Sequence, residues 1–289
     1  MLAITAADVN AAPYPHIIKD GILPADLFAA LRKDFPDTSI FDAQKSSHGA
    51  VGSRTGAGFD IYRGDPAYDE LTRRSSAWKD FGEFINSEAF ADKFREVFAD
   101  HIDDIGLSVD IRRSHVNSNY FEPRDVLTEK PTLGDRVSAA VGLLAEPFRS
   151  VEPVELFTRL DIHKSLTGYA KKPHCDRANR LCSLIIYFTD AEKVGLEGGD
   201  LLVFKHNEQK PVRKYERYPH PENVTEVARL RPRENLGVLF PCQNNSYHGV
   251  TQVLSQGIAR DFLYINISGR TSSLWWGPTG REGAVAKAA

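Results

Sequence analysis

From about residue 154 the chain breaks into short apolar segments: "VELFTRLDIHK", "LCSLIIYFTD", "GDLLVFKH", "LGVLFPC", "SYHGVTQVL" and "ARDFLYINISG". Each is rich in β-branched and aromatic residues, and Gly, Pro, Asn or Asp punctuates the joins, which is the rhythm of an antiparallel barrel or jelly roll. Pieces such as "LIIYF" are apolar on both faces, so such a sheet needs an outer cover as well as an inner core.

The N-terminal region offers that cover. In "LPADLFAALRKDFPD", Leu27, Phe28 and Leu31 recur at helical spacing between Pro24 and Pro36. In "SEAFADKFREVFADHIDDIG", Ser87 stands at the start, Phe90, Phe94, Val97, Phe98, His101 and Ile102 form a stripe, and Gly106 ends it. Between them "QKSSHGAVGSRTGAGFD" reads as a mobile loop. Residues 107 to 150 hold an alternating piece, "LSVDIRR", and a short helical candidate, "RVSAAVGLLAEPF".

The expected fold is therefore mainly β with helical support. A helical N-terminal region, 1–150, covers a β core, 151–270, and a tail follows, 271–289. Within the core, "NEQKPVRKYERYPHPENVTEVARLRPREN", residues 207 to 235, reads as a long insertion, either a solvated loop or a substrate lid, with more Lys and Arg than Asp and Glu.

With 289 residues, 42% hydrophobic, 26% charged and a net charge of -3, the chain can bury a large core and gives no case for disorder or bulk polyanion binding. It shows neither a basic leader with an apolar block nor a run approaching the roughly 18 apolar residues of a spanning helix, so a cytoplasmic protein is expected, without membrane or nucleic-acid partners. Cys175, Cys182 and Cys242 lack zinc-site spacing and read as reduced thiols.

The chemistry concentrates in "KPHCDRANRL", residues 172 to 181. Side chains alternate along a strand, so His174 and Asp176 share a side, and Cys175 between them points away as a small buried hydrophobe. A third ligand is needed from another strand, and His248 in "NNSYHGVTQV" is the best candidate, with Gly249 allowing close backbone approach. Two imidazoles and a carboxylate on one face make the facial triad of non-haem Fe(II) oxygenases. Arg260 opens "RDFLYINI" on the same face of its strand as Phe262 and Tyr264. Buried there, it demands an anionic partner, which a dicarboxylate matches through two parallel hydrogen bonds.

Together "GYAKKPHCD", "RLCSLIIYFTD", "GGDLLVF", "SYHGVTQV" and "GIARDFLYINI" resemble the Fe(II)- and 2-oxoglutarate-dependent oxygenases, in the style of their prolyl-4-hydroxylase-like branch, over residues 157 to 270. The resemblance implies a double-stranded β-helix (cupin-like jelly roll) packed against N-terminal helices. It implies that His174, Asp176 and His248 ligate Fe(II), that Arg260 binds the distal carboxylate of 2-oxoglutarate, and that O2 is consumed as succinate and CO2 form. Relatives often carry a Tyr nine residues before the first ligand; Ser165 stands there, leaving Tyr169 or a Tyr on another strand to compensate. Halogenating relatives lack the carboxylate ligand, so Asp176 argues for hydroxylation, desaturation or a related oxidation.

The expected substrate is a small molecule, and the basic insertion points to an acidic one. Alternatives are a cupin-like sugar-binding or structural jelly roll, and an Fe(II) dioxygenase that does not use 2-oxoglutarate. His163 reads as a core or pocket wall, His206 and His220 as solvated, Trp275 and Trp276 as packing, and Arg54 and Arg63 as surface charges.

Overall fold

The computed structural model describes residues 1–40, 58–122, 150–208 and 215–276. In chain order the elements are β1 (Ile17–Asp20), α1 (Ala25–Lys33), β2 (Gly58–Tyr62), α2 (Pro66–Arg74), α3 (Ser76–Ile85), α4 (Glu88–Val97), β3 (His115–Val116), β4 (Glu155–Ser165), β5 (Lys171–His174) and β6 (Arg180–Tyr187). After these come α5 (Ala191–Val194), β7 (Leu201–His206), β8 (Val224–Leu230), β9 (Leu236–Pro241), β10 (His248–Val250) and β11 (Arg260–Gly269). The six apolar segments all become strands, and the fold is a jelly roll of two sheets.

One sheet runs β1-β9-β6-β11-β4-β2, with β3 beside β4; the other runs β5-β10-β7-β8. All pairs are antiparallel except β3 with β4. The central cavity is lined from both sheets.

Strand β4 shows how the sequence builds both surfaces of the larger sheet. Its odd positions, Arg159, Asp161 and His163, line the cavity, whereas Leu160 and Ile162 join the hydrophobic core. Strand β11 repeats this, with Arg260, Phe262 and Tyr264 on the cavity and Leu263, Ile265 and Ile267 in the core. The period of two is intact, but the wetter face points inward. The apolar face packs under helices, whose centre is an aromatic cluster. Trp78 of α3 stacks on Phe188 at 6.2 Å, Phe28 of α1 lies 4.9 Å from the same ring, and the Trp78 indole donates to the Leu31 carbonyl at 3.0 Å. Burying one such aromatic in place of water contributes about 1.5–3 kcal/mol.

The two anticipated helices form at α1 and α4. Helices α2 and α3 were not anticipated, and "LSVDIRR" is turn rather than strand, with a single bridge from Leu107 to Trp275. Most of the Gly- and Ser-rich loop, Arg54 and the candidate "RVSAAVGLLAEPF" fall outside the described residues. The last residues of that loop, Gly58 to Asp60, pair with β4. The supposed insertion also needs correction, because residues 224–230 form β8, hydrogen-bonded along β7. Its polar positions face outward on an edge strand, so no apolar alternation advertised it. His206 is corrected too: it is buried beside Tyr247, while His220 is exposed.

The turn into β7 depends on Gly198, at φ +73°, where an added Cβ would lie 1.8 Å from the Gln252 carbonyl oxygen. Left-handed backbone at a non-glycine residue alone costs about 1–3 kcal/mol. Gly198→Ala should therefore lower stability by at least about 2 kcal/mol, read as a lower urea midpoint at unchanged slope.

Candidate metal centre and anion pocket

The ends of β5 and β10 meet at the cavity floor, where His248 pairs in register with His174. The close approach depends on Gly249, since a Cβ there would stand 2.9 Å from the Lys171 carbonyl oxygen. Strand β5 ends at His174, and the chain stays near its partner strands long enough for Asp176 to reach the same point. Cys175 between them turns into a small cluster with Phe204, Val224 and Tyr247. The two imidazole centroids are 4.4 Å apart, and His248 Nε2 lies 4.0 Å from Asp176 Oδ2. One ligand atom from each of His174, Asp176 and His248 lies within 4.8 Å of the others.

Both imidazoles are set for coordination by their own backbone. His174 Nδ1 is 2.8 Å from the Lys172 carbonyl, and His248 Nδ1 is 3.0 Å from the Ser246 carbonyl. A carbonyl only accepts, so Nδ1 carries the hydrogen and Nε2 keeps its lone pair for a metal. Burial, with His248 adjacent, pushes the His174 pKa down to about 3, so this ring is neutral at working pH.

Asp176 is the charged member. Burial would raise its pKa, but Arg180, then His248 and His174, hold it far below the usual carboxylate range. Arg180 Nη1 donates to Oδ1 at 3.1 Å, the Tyr264 hydroxyl to Oδ1 at 3.0 Å, and the Ser183 hydroxyl to Oδ2 at 2.7 Å. The Cys242 thiol stands 3.4 Å from Oδ2, and Arg180 also donates to the Tyr264 hydroxyl.

Arg260 is 1% exposed, between Phe262 and Tyr187, whose ring centroids lie 4.3 and 4.9 Å from its guanidinium carbon. Nη2 donates to the Tyr187 hydroxyl at 2.9 Å, while Nε and Nη1 have no partner among the described residues. Two orphaned guanidinium nitrogens in a buried site cost several kcal/mol, on the order of 3–5, unless an anion meets them. Ser165, opposite Arg260 in the β4–β11 register, is buried with its hydroxyl equally unpartnered. Tyr187 and the buried Tyr169 both lie beside Arg260 where a tyrosine at 165 was the expected neighbour.

His163 is a wall, stacked on Phe262 at 4.5 Å. Trp275 packs inside, its indole donating to the Arg180 carbonyl at 3.0 Å, and Arg63 reaches only the Ser118 carbonyl and the Phe121 ring among the described residues. Sequence reasoning missed Arg180, Ser183 and Tyr187, and the Arg159–Asp161 ion pair at 2.6 Å. The available signal was the alternation R-x-D-x-H inside β4, polar residues at a period of two within an otherwise apolar strand.

Residues 160–268 match the family profile described as "2OG-Fe(II) oxygenase superfamily". Among solved structures, a Pseudomonas putida prolyl-4-hydroxylase is 16% identical, with 94% of this chain and 100% of that one covered at a TM-score of 0.45. A Trichoplax adhaerens prolyl hydroxylase, solved with a hypoxia inducible factor oxygen degradation domain peptide fragment, is 10% identical, with 88% and 83% covered at a TM-score of 0.43. No curated protein matches the chain.

Burial first, with Arg260 also opposing protonation, lowers the His163 pKa from an ordinary 6.5 to about 3. Between these values the unfolded chain binds a proton at this position that the folded chain does not, so His163 removes stability as pH falls from about 6.5, by up to about 1.4 kcal/mol per pH unit. His163→Phe, which keeps the stack on Phe262, should flatten the metal-free protein's stability loss between pH 6.5 and 4. Urea unfolding of both proteins across that range measures the difference.

Proposed function

Because residues 160–268 form a core of the 2OG-Fe(II) oxygenase superfamily, we propose that His174, Asp176 and His248 hold the ferrous ion and that Arg260 receives the distal carboxylate of 2-oxoglutarate. On this reading the enzyme oxidises, most simply hydroxylates, an unactivated C–H bond of a small molecule, releasing succinate and CO2.

The observation that carries the proposal is the buried Arg260 guanidinium, two of whose nitrogens are unmet among the described residues, on the cavity that the two imidazoles and the carboxylate also line. A sugar-binding or structural jelly roll has no use for that arrangement. A dioxygenase whose substrate alone chelates the metal would have to meet Arg260 with the substrate's own anion, and O2-dependent succinate release separates the two readings. The donor set suits the metal: two imidazoles and one carboxylate are the ligand types that would hold a ferrous ion. When bound, the ferrous ion and 2-oxoglutarate supply the oxidising power through oxidative decarboxylation with O2.

The residues of the chain provide the rest. Tyr187 steadies Arg260, so the guanidinium is oriented before the diacid arrives. Arg180, Tyr264 and Ser183 keep Asp176 ionised and fix its oxygens. Ile185, Leu201, Val250 and Phe262 form apolar wall that excludes water from the reacting centre. The cavity, about 230 Å³, lies below the roughly 300–1,000 Å³ of ordinary ligand pockets, which favours a small substrate or a small reacting fragment.

Anaerobic titration with Fe(II) and 2-oxoglutarate should produce a visible charge-transfer band, and candidate metabolites should trigger O2-dependent succinate release. His174→Ala should abolish both while far-UV circular dichroism keeps its native shape; undiminished turnover in that variant refutes the ligand assignment. Arg260→Lys loses the two-pronged contact and should weaken 2-oxoglutarate binding by about tenfold to a hundredfold. An unchanged titration midpoint for that variant removes Arg260 from the cosubstrate site.

A further inference from the structure

The cavity carries an uneven charge balance. Six cationic side chains line it, Arg159, Lys171, Arg177, Arg180, Arg217 and Arg260, against the carboxylates Asp60, Asp161 and Asp176. A fourth carboxylate, Glu122, lies 3.4 Å from Arg177 and 3.7 Å from Arg159. Arg180 is matched by Asp176, and Arg159 by Asp161 with Asp60 3.2 Å away. Among the described residues cations therefore outnumber carboxylates by two, and the ferrous ion with the 2-oxoglutarate dianion adds no net charge.

The excess is not spread evenly. Arg260 is buried, whereas Arg177 and Arg217, which line the same cavity, are half-buried and so nearer solvent. Arg177 follows Asp176 directly. Arg217 arrives on the segment 215–218, which is fastened to the chain at Cys175 and Asp176. Its carbonyl accepts from the Cys175 amide at 3.0 Å, the Glu216 carbonyl accepts from the Tyr247 hydroxyl at 3.1 Å, and the Tyr215 hydroxyl donates to the Asp176 carbonyl at 2.8 Å. The next residue, Tyr218, stacks on the His174 ring at 6.1 Å. Arg217 Nε is buried with no acceptor among the described residues, and Glu122, at 3.4 Å, is a long and partial match for Arg177. Two guanidinium groups are thus held beside the proposed metal ligands with hydrogen-bonding capacity to spare. Arginine's planar fork suits a carboxylate or phosphate.

We infer that the substrate is a small organic oxyanion, and that Arg217 and Arg177 bind its carboxylate or phosphate at the more exposed part of the cavity while its reacting carbon reaches inward. This rests on the assignment of the site as an Fe(II) and 2-oxoglutarate centre. It makes the segment 215–218 part of the substrate site.

The test uses the full chain loaded anaerobically with Fe(II) and 2-oxoglutarate, the charge-transfer band reporting that the centre is formed. Calorimetric titrations at constant ionic strength then compare N-acetylglycine with its neutral amide, and glucose 6-phosphate with glucose. The first pair reads carboxylate recognition and the second phosphate recognition. At least one acid should bind about tenfold or more tightly than its neutral partner, the size of one charge-assisted hydrogen bond. Arg217→Gln and Arg177→Gln should each erase most of that difference while moving the neutral partner's affinity less than twofold. If the band forms but acids and neutral partners bind alike, or both variants keep the preference, the inference is overturned and the metal-site assignment stands. If folded protein gives no band, the assignment fails and the inference falls with it.

Discussion

Asp176 is a carboxylate taken out of water, and the rest of the site is arranged around keeping it charged. Alone at that depth it would take up a proton. Arg180 prevents this at close range, and hydroxyl groups from Ser183 and Tyr264 occupy the lone pairs the guanidinium leaves open. These partners come from different strands, so the carboxylate holds its state only when β6 and β11 are paired in register. The charge of one side chain is in this way tied to the closure of the whole larger sheet.

That sheet is unusual in placing polar groups on the face it shares with its opposite sheet. The ordinary jelly roll core would be apolar there. Here the helices take over the role of core partner, and Trp78, Phe28 and Phe188 form the dry interior that the cavity cannot provide. The division frees Arg159, Asp161, His163 and Arg260 to face one another across a small polar space. Buried ion pairs seldom add net stability. Their presence on this wall is better understood as shaping a binding space than as holding the fold together.

How much of this was legible in the sequence differed by the kind of signal. Strands buried on both sides announced themselves, since "LIIYF" and "FLYINI" can be little else. His174, Asp176, His248 and Arg260 were legible from their spacing, and the structure places all four on one cavity, although Asp176 lies beyond the end of β5 rather than on the strand. Strand β8 was hidden by its charges: an edge strand facing solvent has no apolar rhythm to read. Helices α2 and α3 were missed because they are short and lean on tertiary contacts, Tyr68 and Leu71 anchoring one and Trp78 and Phe81 the other. Arg180, Ser183 and Tyr187 could not be assigned from local pattern, because their roles arise from strand register rather than from their neighbours in the chain.

The three side chains at the cavity floor are supported in unequal ways. Each imidazole is tethered to a carbonyl only two residues upstream, so its tautomer and tilt are written into a tripeptide. The carboxylate answers to side chains on two strands, Arg180 and Ser183 of β6 and Tyr264 of β11. Sequence drift across the barrel would consequently be felt first at the anionic corner, leaving the nitrogen pair untouched. Of the three, the carboxylate is the adjustable member, the one whose charge and tilt substitutions on other strands would reach.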